Sequence, residues 1–124
     1  MIKGLGVDLV DIKRIEELIN KRGQAFLEKV FTLREIEYCE SKAARYQHYA
    51  ARFAAKEAVV KMLAGAEGIG WKDIEVLKAG NGKPELVLSG QARKAADRLG
   101  IKRLHLSISH EKELAIAQVI GEDD

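Results

Sequence analysis

The stretch RYQHYAARFAAKEAVVKMLA, residues 45–64, constrains the fold of this chain more than any other. Its alanine, valine and long side chains predict a helix stopped at Gly65 or Gly68, with apolar residues pointing in almost every direction. Such a helix is stable only where neighbours cover most of its surface, and more of it needs cover than one small sheet provides, so an oligomer is expected. Four charges nevertheless fall within residues 52–61. At about 100° per residue, Phe53 and Val60 form an apolar ridge, with Glu57 and Lys61 on one side and Arg52 and Lys56 on the other. Glu57 and Lys61 have the spacing of a helix salt bridge worth about 0.3–0.5 kcal/mol. Arg52 and Lys56 are like charges one turn apart, and they require solvent, a neighbouring subunit or an anion.

Around this helix the periodicity changes several times. IKGLGVDL alternates loosely and carries two glycines, which predicts a strand. From Asp11 the apolar residues Ile12, Ile15, Leu18 and Ile19 take helical spacing, with Asp11 as N-cap, Val10 and Ile15 as a hydrophobic staple, and Gly23 as the stop. FTLREIEYCE repeats that grammar, with Thr32 and Glu35 forming a capping box. After Trp71 the pattern turns to strands: DIEVLKA, the turn pair Asn81-Gly82, then ELVL. Ser89 is placed to cap a short helix ended by Gly100, and RLHLSIS and LAIAQVI form a last hairpin. The order β-α-α-α-β-β-α-β-β predicts an α+β domain, residues 1–124, with helices on one face of a largely antiparallel sheet.

At 124 residues the chain supports one core, burying roughly two thirds of the surface its unfolded form exposes. No stretch approaches the ~20 apolar residues of a membrane span, no signal peptide is visible, and Cys39 is the only cysteine, so a reducing cytoplasm is expected. A net charge of +2 argues against general nucleic-acid binding, leaving any anionic partner to a local patch.

Several polar residues have no obvious structural duty. Asp8 ends the first strand, two positions from a better cap; alone it reads as a turn former, but with Glu57 it forms a carboxylate pair suited to Mg²⁺, waters and phosphate. SISH, residues 107–110, ends a strand in hydroxyls and an imidazole. NGKP, residues 81–84, serves as a turn and also offers Lys83 and backbone amides to a phosphate. No GxxxxGK[ST] loop, Rossmann fingerprint or Cys/His zinc cluster is present.

In this order GLGVDLVDIKRI, RFAAKEAVVK, NGKP and SISH resemble the holo-[acyl-carrier-protein] synthases, the small trimeric 4′-phosphopantetheinyl transferases. The resemblance spans essentially the whole chain, and it rests most on G-x-G-x-D and F-x-x-K-E-A-x-x-K. It implies transfer of 4′-phosphopantetheine from coenzyme A to a serine of apo acyl carrier protein, for fatty acid biosynthesis, with Mg²⁺ as cofactor. Asp8 and Glu57 are then the metal ligands. Glu57, Lys61 and His110 are the catalytic candidates, with the serine proton going to Glu57, a water on the cation or His110. Arg52, Lys61, Asn81, Gly82, Lys83, Pro84 and His110 are expected to line a coenzyme A cleft between subunits of a homotrimer. Lys13 and Arg14 face the acidic carrier, and Arg22 and Arg45 are added on charge and location alone.

Two other classes share these features. A non-catalytic module that grips an acidic protein would bind independently of Mg²⁺ and coenzyme A. A metal-dependent phosphohydrolase would release phosphate with no carrier present.

Overall fold

A computed structural model describes all 124 residues. Strand β1 (Ile2–Asp11) leads into helices α1 (Ile12–Arg22), α2 (Gln24–Val30), α3 (Leu33–Glu40) and α4 (Arg45–Met62). A single 3₁₀ turn (Trp71–Asp73) precedes the hairpin β2 (Ile74–Lys78) and β3 (Pro84–Leu88), followed by α5 (Gly90–Arg98) and the hairpin β4 (Arg103–His110) and β5 (Leu114–Glu122). The strands form a three-stranded antiparallel sheet, β1-β5-β4, and a separate two-stranded one, β2-β3. The expected element order holds, with α2 added. No helix is long and apolar enough to cross a membrane.

The local signals act as expected. Asp11 accepts a hydrogen bond from the Lys13 amide at 3.0 Å, and Thr32 and Glu35 complete the capping box, devices worth about 1 kcal/mol each. Ser89 occupies the N-cap position of α5 without a capping hydrogen bond; its hydroxyl lies 3.4 Å from the Asp73 carbonyl.

Helix α4 runs through the centre, and ten of its eighteen residues are buried. The contact with β1 is unusually close because small residues meet there. A Cβ on Gly6 would lie 1.8 Å from the Ala58 carbonyl oxygen, and one on Gly4 2.8 Å from both the Met62 side chain and its carbonyl. These glycines bring strand backbone onto helix backbone, and Ala115, Ala117 and Val119 of β5 extend the same seam. The other sides of α4 are covered by α1, α3 and β2. The chain therefore buries its own central helix, and the expectation that α4 needs a second subunit for cover is corrected.

Uncovered apolar area lies elsewhere. Leu5, Val7 and Leu9 alternate with the glycines and Asp8, so they point to the opposite face of the sheet, where each is about half exposed or more (57%, 48% and 59%) beside Ile116.

Lys56 is corrected as well. It is fully buried, and its ammonium pairs with Glu35 at 2.8 Å while donating to the carbonyls of Trp71, at 3.1 Å, and Ile74. Burial lowers its pKa and Glu35 opposes that shift. Glu35 also accepts from the Thr32 and Val76 amides, each at 2.8 Å. The pair thus joins α3, α4 and the start of β2 in the interior, away from solvent and any ligand. Removing one partner of such a pair costs about 3–5 kcal/mol.

Candidate active site

The period of two along β1 takes Gly4, Gly6 and Asp8 to one face, so the strand that lies against α4 ends by presenting Asp8 to it. Lys61, in the last turn of α4, places its Nζ 2.9 Å from Asp8 Oδ1 and 3.2 Å from the Val7 carbonyl. The expected Glu57–Lys61 bridge does not form; Lys61 pairs across to the strand. Glu57 lines a cleft with Asp8, Asp11, Arg14 and Phe53, of about 450 Å³. Burial first, and then the Asp8 charge, raise the Glu57 pKa above the ordinary carboxylate value, with Lys61 opposing.

Two carboxylates converging on one cleft, one of them strained by the other's charge, form a donor set that a hard cation would relieve. No group of three or more His, Cys, Asp or Glu side chains surrounds it. A pair of carboxylates is the number that Mg²⁺, which keeps several waters and takes substrate phosphate, draws from a protein.

The remaining candidates lie apart from this cleft. His110 ends β4, contacts the Gln47 amide through Nδ1 and lines a separate hollow with Arg45 and Tyr46. Arg45 is ion-paired with Glu40 at 2.9 Å. Arg52 is buried with its guanidinium 4.2 Å over the Tyr38 ring, and its Nε has no hydrogen-bond partner. Asn81, Gly82, Lys83 and Pro84 form the tip of the β2-β3 hairpin, where Asn81 accepts from the Lys83 amide at 3.0 Å and Gly82 takes φ +83°. Lys13 and Arg22 are exposed on α1 with Arg14.

Lys42, His48 and Lys78 are not among the residues the sequence singles out as candidates. Burial lowers the His48 pKa first, and the charges of Arg52, Lys42, His110 and Lys78 lower it further, so these cations share one neighbourhood. The i,i+4 spacing of His48 and Arg52 was the available signal. The candidates therefore fall into two groups, one of carboxylates at the cleft and one of cations around Tyr38 and His48.

Residues 4–119 match the family model of the 4′-phosphopantetheinyl transferase superfamily. A holo-[acyl-carrier-protein] synthase of Halothermothrix orenii is 50% identical over 124 residues, covering 99% of both chains. The crystal structure of holo-[acyl-carrier-protein] synthase from Neisseria meningitidis superposes with a TM-score of 0.86 at 36% identity, covering 98% of this chain and 99% of that one. The Bacillus anthracis synthase in complex with CoA (3′,5′-ADP) gives 0.81 at 35% identity, covering 100% of this chain and 99% of that one.

Proposed function

The chain belongs to the 4′-phosphopantetheinyl transferase superfamily, and from that premise we propose that it transfers 4′-phosphopantetheine from coenzyme A to a serine hydroxyl of apo acyl carrier protein. The products are holo acyl carrier protein and adenosine 3′,5′-bisphosphate. The whole chain acts as one transferase domain, in the cytoplasm, in the service of fatty acid biosynthesis. The observation that carries this reading is the convergence of Asp8 and Glu57 at one cleft, with Lys61 ion-paired to Asp8.

Asp8 and Glu57 would hold Mg²⁺. When bound, the ion supplies charge neutralisation at the coenzyme A diphosphate and alignment for in-line attack. Lys61, tethered by Asp8, is placed to stabilise negative charge on the departing phosphate oxygen. Glu57 lines the cleft that the serine would enter, which supports it as the acceptor for the serine proton. Within one chain His110 lines other hollows, which supports a binding role over that of base.

The cationic group of Arg52, His110 and their neighbours suits the phosphates of coenzyme A, with the NGKP tip beside it. Its separation from the carboxylate cleft supports a site assembled from two subunits. The apolar sheet face of Leu5, Val7 and Leu9 is the surface through which copies of the chain would associate, as a homotrimer. Arg14, exposed on α1 and lining the carboxylate cleft, would meet the acidic carrier as its serine enters.

The test is direct. Incubation with coenzyme A, Mg²⁺ and apo acyl carrier protein is expected to add one phosphopantetheine mass to the carrier; no mass change at any divalent-ion concentration overturns the reading.

A further inference from the structure

We infer that Lys56 and Glu35 form a positioning pair that sets the rotation of α4 and so fixes how Glu57 is presented to the cleft. The inference rests on the transferase reading of that cleft. Glu57 stands between two clamps of opposite kind. On one side Ala58 is pressed against Gly6 of β1, where no side chain intervenes. On the other, Lys56 is fastened to Glu35 and to the carbonyls of Trp71 and Ile74.

A backbone seam alone resists approach and allows roll, because small residues offer nothing to interlock. The buried ammonium removes that freedom: it ties the helix to three fixed oxygens on three other elements, α3, the 3₁₀ turn and β2. The ring of Phe53, one turn earlier, reinforces the same side by stacking on Trp71 at 5.1 Å between centroids. Phe53 and Glu57 both line the cleft, so a roll of α4 would displace a wall and a ligand together. Neither Lys56 nor Glu35 reaches the cleft, so they act through Glu57 and are positioning residues.

The variants are Lys56→Met and the double variant Lys56→Met/Glu35→Gln, compared with wild type and with Arg34→Ala, which cuts the exposed Arg34–Glu75 bridge between α3 and β2. The double variant leaves no lone buried carboxylate and keeps one carbonyl acceptor, for either the Thr32 or the Val76 amide, so it regains part of the thermal stability lost in the single one. Despite that gain, kcat in both variants is expected to stay about tenfold or more below wild type, the scale of a small misplacement of a reacting group. The KM for coenzyme A should stay within about twofold, the signature of a loss felt in the reacting state. Mn²⁺ binding with coenzyme A present, followed by loss of the free-ion EPR signal, should weaken severalfold. The emission of Trp71, the only tryptophan, should shift as its carbonyl loses the ammonium. Arg34→Ala should lower stability without moving kcat or Mn²⁺ affinity. Return of kcat together with stability in the double variant, or unchanged Mn²⁺ affinity, overturns the inference. Wild type failing to modify the carrier sinks the transferase reading instead, while Mn²⁺ binding and Trp71 emission still report on the pair.

Discussion

Burial and the Asp8 charge both raise the Glu57 pKa, so the ionised carboxylate is held in the folded chain at a cost that the unfolded chain does not carry. The sign follows from that order. With the folded pKa above the unfolded one, the cost is present at neutral pH and disappears as pH falls below the ordinary value of 4.5, where both states hold the proton. Glu57→Gln is therefore expected to raise the melting temperature of the metal-free protein at pH 7, with the gain fading at acid pH, measured by a thermal-shift series across pH. The same substitution should lower transfer by about a hundredfold or more, the scale of losing an acid–base group. Loss of activity with no gain in stability at neutral pH would show that the fold carries no such cost.

At the scale of elements, the glycine seam between β1 and α4 sets the position of everything beyond it. Gly6→Ala places a methyl carbon into the Ala58 carbonyl and must push strand from helix. We expect a loss of about 3 kcal/mol or more in urea unfolding, the upper range for overpacking, with Asp8 moved away from Glu57 in whatever remains folded. The sequence made much of this level legible. Caps at Asp11 and Thr32 mark helix starts because a side chain bonding its own backbone is a local event. Helix α2 escaped notice because it is one short step after Gly23, a residue that signals a stop, and it buries only Leu27 and Val30. The burial of Lys56 is illegible for a different reason. Helical periodicity gives its direction and says nothing of Glu35, twenty-one positions earlier, which waits there as its partner.

For the whole molecule, the charge and apolar patterns make claims about association. Leu5→Glu introduces a charge into the half-exposed sheet face opposite α4, on the far side from Asp8. On the proposed trimer, it is expected to yield monomers on light-scattering chromatography and to abolish transfer while circular dichroism is retained, because the cationic group would then be parted from the carboxylates of the neighbouring copy. Retained activity in a monomer would show that one chain suffices. Arg14→Ala should raise the KM for the carrier about three- to tenfold and reduce its salt dependence, with little change for coenzyme A, as expected when a surface charge steers encounter. The candidate site was legible as a set of residue types in order, while its division into two groups was not, since that depends on how far β4 lies from β1 across β5.

The contact of Gly6 with Ala58 has a bearing on inheritance and redesign. Because the approach of β1 to α4 is set where main chain touches main chain, that spacing does not depend on the shape of any large side chain between them. Apart from the Lys56–Glu35 pair that fixes the rotation of the helix, much of the surrounding interior can therefore drift by substitution without detuning the cleft, whereas a single added methyl at the seam cannot be absorbed. A workable graft of this cleft into another scaffold would begin by copying that bare crossing of strand and helix, and only afterwards the charged residues it carries.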